Sequence, residues 1–260
     1  MVAADTRGSR FLLSAAPMLQ AGVSCFPMCE PDLFEELYDK WRFAKLLEKL
    51  SLPHPPTELI RDFQDVGRSK ISLPILIKPT QGENGDEIEK ITTDAELRRA
   101  AAARANSPIG GSIIQSFVAG SDIDISLLAD HGRVVAWTIQ QRARNGVMRF
   151  INRTDILELG QDLVRKTNYH GVIHLDLRVD QRNGKAFFVD ANPRFWGSLK
   201  YSVWSGVNFL ELGLRMMEGK DLSRQFTPIV TDCPNLAITP RWLWRALLGG
   251  WPVPRGLTDA

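Results

Sequence analysis

Apolar and polar residues alternate in two runs from His174 to Asn192, separated by Arg182-Asn183-Gly184. An Asn-Gly step between alternating runs predicts a β-hairpin. Directly opposed residues of an antiparallel pair share a face, so a two-residue loop would set Leu177 against Asp190 and mix the faces. A three-residue loop, with Gly184 in the left-handed position, pairs Asp176 with Asp190 and His174 with Asn192. Leu175, Leu177, Val179, Phe187, Val189 and Ala191 then share a buried face. His174, Asp176, Arg178, Asp190 and Asn192 share the other.

The remaining pattern supplies the surroundings. Arg10–Leu13 reads as a short apolar strand, followed by a helical turn or two and a proline-bounded stretch. Leu33, Leu37, Trp41, Ala44 and Leu47 recur at helical spacing, so one helix is expected from Asp32 to Leu50, stopped by the prolines at 53, 55 and 56. Leu73–Lys78 is an apolar strand entering a glycine loop, Thr80–Gly85. Thr93-x-x-Glu96 is a capping box that opens a helix. Ser112–Val118, the run after Gly120 and Val134–Gln141 read as an antiparallel meander, and Gln141–Ile151 as a loop. A helix over Asp155–Asn168 closes near Gly171, and Asn208-x-x-Glu211 caps a last helix ending at Gly219.

Size and charge narrow the classes. A chain of 260 residues, 44% of them hydrophobic, buries a sizeable core. Thirty-two basic against 30 acidic residues leave a net charge of +2, which lacks the concentrated basic surface that nucleic acid demands. No apolar run approaches a membrane span. Three cysteines, Cys25, Cys29 and Cys233, suit reduced thiols and a cytoplasmic setting better than a disulfide framework. Arg241–Trp251 interleaves tryptophan with arginine, a composition that suits a membrane surface, a partner protein or cover for the body of the domain.

The polar face of the hairpin carries the candidate chemistry. Opposed carboxylates about 5 Å apart repel unless a cation lies between them, and two acids with an amide oxygen suit Mg²⁺. On the hairpin alone, an ordinary strand end in turn-forming residues explains Asp190-Ala191-Asn192-Pro193 as well. Lys78, at the end of a strand and before a glycine loop, fits a phosphate contact or a simple strand-end lysine. Arg142, Arg144 and Arg149 fit a second carboxylate site or a solvated basic turn.

Taken in order, these pieces resemble the ATP-grasp superfamily of carboxylate-amine ligases over about residues 39–209. Asp39-Lys40 leading to Pro53-His54-Pro55 is similar to its opening motif, and Ile75-Leu76-Ile77-Lys78-Pro79 to its lysine strand. Ile114-Gln115-Ser116-Phe117-Val118-Ala119-Gly120 resembles its hinge, and Asp190-Ala191-Asn192-Pro193-Arg194-Phe195-Trp196-Gly197-Ser198 its Asn-Pro-Arg signature. The resemblance implies an α+β ATP-grasp fold in which two α+β subdomains grip ATP between antiparallel sheets. Residues 32–108 would form the small subdomain and 109–225 the large one. Residues 1–31 would be the remnant of an amino-terminal domain and 226–260 a Trp-rich tail.

It also implies roles. Lys40 and Lys78 would contact phosphates, and the loop with Gly82 and Gly85 would close over them. Gln115, Ser116, Phe117 and Val118 would form the adenine hinge, with Asp122 near the ribose. Asp176, Asp190 and Asn192 would hold Mg²⁺ or Mn²⁺, and Arg194 would meet the γ-phosphate or an acyl-phosphate. His174 stands where some relatives place an arginine, and Asp190 where the family usually has glutamate. The implied activity is an ATP-dependent, Mg²⁺-requiring ligase that activates a small-molecule carboxylate as an acyl-phosphate for capture by an amine. A phosphotransferase or a noncatalytic, partner-dependent ATP-binding subunit is the alternative. A protein partner or second copy would supply the wall that the short amino terminus lacks.

Overall fold

Asp5 accepts a hydrogen bond from the Gly8 N–H at 2.7 Å and so caps helix α1 (Thr6–Ala15), which replaces the strand expected at Arg10–Leu13. Thr6, Ser9 and Leu12, one turn apart, are its buried residues. A short apolar run cannot by itself distinguish strand from helix, and here the cap decides. The expected single helix after Pro31 is likewise two, α2 (Pro31–Tyr38) and α3 (Lys40–Lys49). The break is Asp39, whose backbone is extended and whose carboxylate accepts from the Trp41 and Arg42 N–H groups, both at 3.0 Å.

The computed structural model describes residues 1–19, 23–60, 69–82, 87–104, 111–143, 147–223 and 226–233. It divides into two compact units: Met1–Pro31, Asp122–Leu175 and Asn192–Ala260 form one, and Asp32–Ser121 with Asp176–Ala191 form the other. Gly85, Arg144 and residues 234–260 of the Trp-rich tail lie outside the described residues. Among the described residues no helix is long and apolar enough to cross a membrane.

In the second unit, β1 (Thr57–Ile60), β2 (Ile75–Pro79), β3 (Glu89–Ile91) and β4 (Ser112–Ser116) form an antiparallel sheet in the order β1-β4-β2-β3. Helix α4 (Asp94–Arg104) begins at the expected capping box: the Glu96 N–H donates to Thr93 Oγ1 at 3.2 Å, and Glu96 Oε2 accepts from the Thr93 N–H at 3.3 Å. Ile60, Ile75, Ile77, Ile91 and Ile114 are buried on one face of the sheet, with Ala100 of α4 and the half-buried Leu97. The opposite face carries Thr57, Lys78 and Gln115.

The first unit is built on the expected meander, β5 (Gly120–Asp130) and β6 (Arg133–Arg142), to which β7 (Met148–Phe150) adds a strand inside the expected loop. Helix α5 (Thr154–Thr167) packs close to β5, since a Cβ on Gly160 would come within 2.9 Å of Ile125 Cδ1. Its cap is Asn168, with φ +49°, rather than Gly171. Strands β8 (Gly171–Asp180) and β9 (Ala186–Asn192) follow, then α6 (Leu199–Trp204), α7 (Phe209–Met217) and β10 (Thr231–Cys233). The sheet order is β10-β7-β6-β5-β8-β9, and residues Asp176–Ala191 of its last hairpin are counted with the second unit. Phe26, Leu128, Val135, Phe195, Val207 and Phe209 lie in the first unit's apolar core.

The hairpin turn differs from expectation by one residue. The Asp180 N–H donates to Lys185 O and the Gly184 N–H to Asp180 O, both at 2.8 Å, which closes a four-residue loop, Gln181–Gly184. Gly184 does take the left-handed position, at φ +70°. The Asp180 carboxylate selects the longer turn by accepting from the Arg182 N–H and guanidinium. Near the turn Ala186 and Phe188 are therefore buried, whereas Phe187, Val189 and Val179 are half-buried. Ala191 is buried again, so strict alternation breaks between Phe188 and Ala191.

Gly171 has φ +110°, and a Cβ there would stand 2.4 Å from Pro27 O. Gly171→Ala is expected to lower stability by about 2–4 kcal/mol, through strain plus a clash with backbone, and urea unfolding followed by circular dichroism measures it.

Candidate functional site

Register decides which side chains of the four-stranded sheet meet. Leu76 lies opposite Gln115, Lys78 opposite Ile113, and Thr57 opposite Gln115. Residues two apart share a face, so Thr57, Gln115 and Lys78 project together from the side away from the isoleucine core. A one-residue slip would send Lys78 into that core.

Lys78 is 5% exposed, and its ammonium donates to Gln115 Oε1 at 2.8 Å. The Gln115 amide donates to Thr57 Oγ1 at 3.1 Å, which fixes the orientation of its oxygen. Gln115, expected at the hinge, thus spends its side chain on the lysine. Lys40, on the first turn of α3, is 7% exposed. Its ammonium lies 3.3 Å from Asp190 Oδ2 and 3.3 Å from the Gly82 carbonyl. The Lys40 N–H also donates to Thr80 O at 2.7 Å. One lysine therefore ties both the hairpin carboxylate and the start of the glycine loop to α3.

Burial works against the charges on Lys78 and Asp190. It is the main cause that brings the Lys78 ammonium down to about 8; Lys40 adds to the effect, and Asp190 and Asp176 oppose it. Burial also pushes the Asp190 carboxyl above the usual carboxylate range; Asp176 adds to this, and Lys40 and Lys78 oppose it. A phosphate group would restore the charge on Lys78, and a divalent cation would restore that on Asp190. The donor set of Asp176 and Asp190 therefore fits a hard metal ion.

The hinge stretch is held from both sides. The Ser116 N–H donates to Pro56 O at 2.9 Å and the Phe117 N–H to Pro74 O at 3.0 Å. Arg178 donates to the Val118 and Gly120 carbonyls, both at 2.8 Å, and its guanidinium lies over the Phe117 ring at 5.1 Å. The hairpin parity had placed Arg178 beside Asp176, but only the fold shows that it clamps the hinge. Gly120 is required at this approach, because a Cβ would fall 1.8 Å from Val179 O.

The other expected site residues belong to the first unit. His174 is buried, stacks on Trp196 with ring centroids 5.2 Å apart, and shares a hydrogen bond with Ser126 Oγ at 2.8 Å. Arg194 donates to Thr6 Oγ1 and Phe195 O, both at 2.8 Å, and to Asn192 Oδ1 at 3.1 Å. Asp122 is exposed, and its carbonyl accepts from Gln141 Nε2 at 3.4 Å. Arg149 is paired with Asp232 across β7 and β10, with Nε to Oδ1 at 2.8 Å.

Two overlapping family models cover the region that holds these residues. Residues 37–158 match a RimK-like ATP-grasp domain, and residues 111–234 match an ATP-grasp domain described as in the biosynthetic pathway with Ter operon. The chain belongs to the ATP-grasp superfamily. This ATP-grasp chain is 26% identical over 223 residues to the carbamoyl phosphate synthase large chain of Nostoc sp., covering 74% of itself and 20% of that protein. It superposes on biotin carboxylase from Campylobacter jejuni, crystallised as a β-γ-ATP complex, with a TM-score of 0.68 at 16% identity, over 83% of this chain and 52% of that one. For the L-amino acid ligase from Bacillus licheniformis the TM-score is 0.61 at 20% identity, over 80% and 53% of the two chains. The ATP-grasp chain thus spans about a fifth of the Nostoc large chain and about half of each solved structure.

Lys78 generates a pH dependence with a definite sign. The unfolded chain keeps this proton to about pH 10.4, whereas the folded chain releases it near 8. Between those values the unfolded state holds more protons, so this lysine favours folding increasingly as the pH rises. From pH 7 to pH 10.5 the stability of the wild type relative to Lys78→Met is expected to rise by about 2–3 kcal/mol, read from paired urea titrations.

Proposed function

We propose that the chain binds ATP with a divalent metal ion and activates a carboxylate as an acyl-phosphate for capture by an amine or similar nucleophile. The observation that carries this reading is the group of Lys40, Lys78, Asp176 and Asp190, in which two buried ammonium groups meet two half-buried carboxylates and burial opposes the charges on Lys78 and Asp190. The relatives' chemistry supports the same reading. A carbamoyl phosphate synthase, a biotin carboxylase and an amino acid ligase share the fold.

Phosphoryl transfer asks a protein chiefly for positioning and charge neutralisation. Lys78, oriented by Gln115, and Lys40, oriented by the first turn of α3, would grip phosphate oxygens. Lys40 already holds the Gly82 carbonyl at the start of the glycine loop. Ser116 to Val118, braced by Arg178, would form the adenine edge, and Asp122 would meet the ribose. Asp176 and Asp190 would hold the metal ion, with Asn192 the next oxygen along that face of β9. A divalent cation there would offset the negative charge shared by the phosphates. Arg194, in the family signature, would meet the transferred phosphoryl group, and His174 would line the acyl side. Attack of the substrate carboxylate oxygen on the γ-phosphorus would release ADP, and attack of the nucleophile on the acyl carbon would release phosphate.

Calorimetric titration of ATP with Mg²⁺ tests the first half. Submillimolar binding is expected, weakened roughly tenfold or more in Lys78→Ala and in Asp190→Asn, since each removes one charge-assisted contact. No binding by the wild type would overturn the proposal. ADP release across panels of carboxylates and amines tests the second half and is expected only when both are present. ADP formed with one substrate alone would point to a phosphotransferase, and binding without turnover to a noncatalytic ATP-binding subunit.

A further inference from the structure

The turn between β5 and β6 and the connection from α5 to β8 bring Asp130, His131 and His170 together. One ligand atom from each lies within 4.8 Å of the others. His131 Nδ1 is 2.9 Å and His170 Nδ1 is 3.4 Å from Asp130 Oδ1, and the two imidazole rings stack with centroids 4.1 Å apart. Metal–ligand bonds of about 2.0–2.1 Å in a tetrahedral site separate neighbouring donors by roughly 3.3 Å. The observed spacings already lie close to that value.

A hydrogen bond from His131 to Asp130 accounts for only part of the arrangement. His170 Nδ1 is buried, and Asp130 Oδ1, 3.4 Å away, does not form a well-aligned hydrogen bond with it. A buried ring nitrogen so poorly satisfied is costly, and a metal ion bridging it to Asp130 would remove that cost. The Asp130 carboxylate is also oriented. Its Oδ2 lies 3.5 Å from an Arg133 nitrogen, and Arg133 is tethered to Leu222 O at 3.1 Å, which leaves Oδ1 turned to the two histidines. The backbone joins the two segments before any ion binds, since the Gly132 N–H donates to Tyr169 O at 2.9 Å. Next to the three donors lies a cavity of about 440 Å³, which Cys25 also lines. Cys25 is a free thiol.

We infer that Asp130, His131 and His170 form a second metal site, selective for a borderline ion such as Zn²⁺, with its fourth position open to the cavity that Cys25 lines. Two imidazoles and one carboxylate suit Zn²⁺ or Co²⁺ rather than Mg²⁺, which prefers oxygen ligands. Three protein donors with a fourth position left to water or a small ligand is the coordination of zinc sites that exchange ligands. All the residues involved lie in the first unit, and none belongs to the Lys40, Lys78, Asp176 and Asp190 group.

Chelator-treated protein titrated with Co²⁺ tests the site, because four-coordinate Co²⁺ has visible d–d bands that the hexaaqua ion lacks. The expected result is one equivalent of tetrahedral Co²⁺, displaced by Zn²⁺ and retained in Lys78→Ala. His131→Gln and His170→Ala should each weaken binding at least about tenfold. His131 is largely exposed, so His131→Gln keeps the fold, and matching thermal melts confirm it. Loss of a near-ultraviolet thiolate-to-cobalt band in Cys25→Ser would place that thiol in the fourth position; d–d bands with no such band in the wild type would place water there, and either supports the site. Absence of d–d bands at one equivalent, or unchanged binding in both histidine variants, would overturn it.

Discussion

A buried ammonium constrains the architecture of the second unit. Lys78 is withdrawn from water on a strand whose other face is an isoleucine core, so its hydrogen bonding falls to the polar groups of its own sheet face. Gln115 is that group on the neighbouring strand, and Thr57 one strand further on orients it. The order β1-β4-β2 and its register are thus coupled to one charge. The hairpin contributes the second half of the balance through Asp190, which Lys40 holds from α3. Substituting any member redistributes the desolvation cost over the rest, so the group acts as a unit rather than as separate contacts.

The same unit shows how local structure is held in place without large contacts. Asp39 ends one helix turn early so that Lys40 begins another, and a single side-chain cap fixes where the lysine points. Arg178 leaves the hairpin to bond two carbonyls of the hinge, and Gly120 lets the hairpin backbone come close enough for it to do so. Small local rules, a cap and an absent Cβ, are what position groups that lie far apart in sequence.

The first unit carries different chemistry on similar principles. His174 is packed against Trp196 and bonded to Ser126, and Arg194 is secured by Thr6, Asn192 and Phe195. By contrast, His170 keeps a buried nitrogen without a hydrogen bond beside a carboxylate and a second histidine. Trp137, Gln140 and Trp196 also keep a buried polar atom without a hydrogen bond, but His170 alone of the four stands in a cluster of three metal-ligating side chains among the described residues, which is why it leads to a ligand rather than to packing.

Much was legible in the residues themselves. Alternation, the Asn-Gly step and the Thr93 and Asn208 caps follow from local rules of period, turn and cap, and those rules set out the hairpin and marked Lys78, Asp176 and Asp190 as charged groups worth following. The fold class and Lys40 came instead from the order of motifs, through their resemblance to the ATP-grasp superfamily. Local rules failed where two of them competed. A short apolar run became α1 because Asp5 capped it, and the loop at Gly184 gained a residue because Asp180 bonded Arg182. What only the tertiary structure decided is the set of long-range partners: Gln115 for Lys78, Asp190 for Lys40, Arg178 for the hinge, His170 for Asp130 and His131. Periodicity states which face a side chain takes, but burial and the charge it meets there depend on strands and helices tens of residues away.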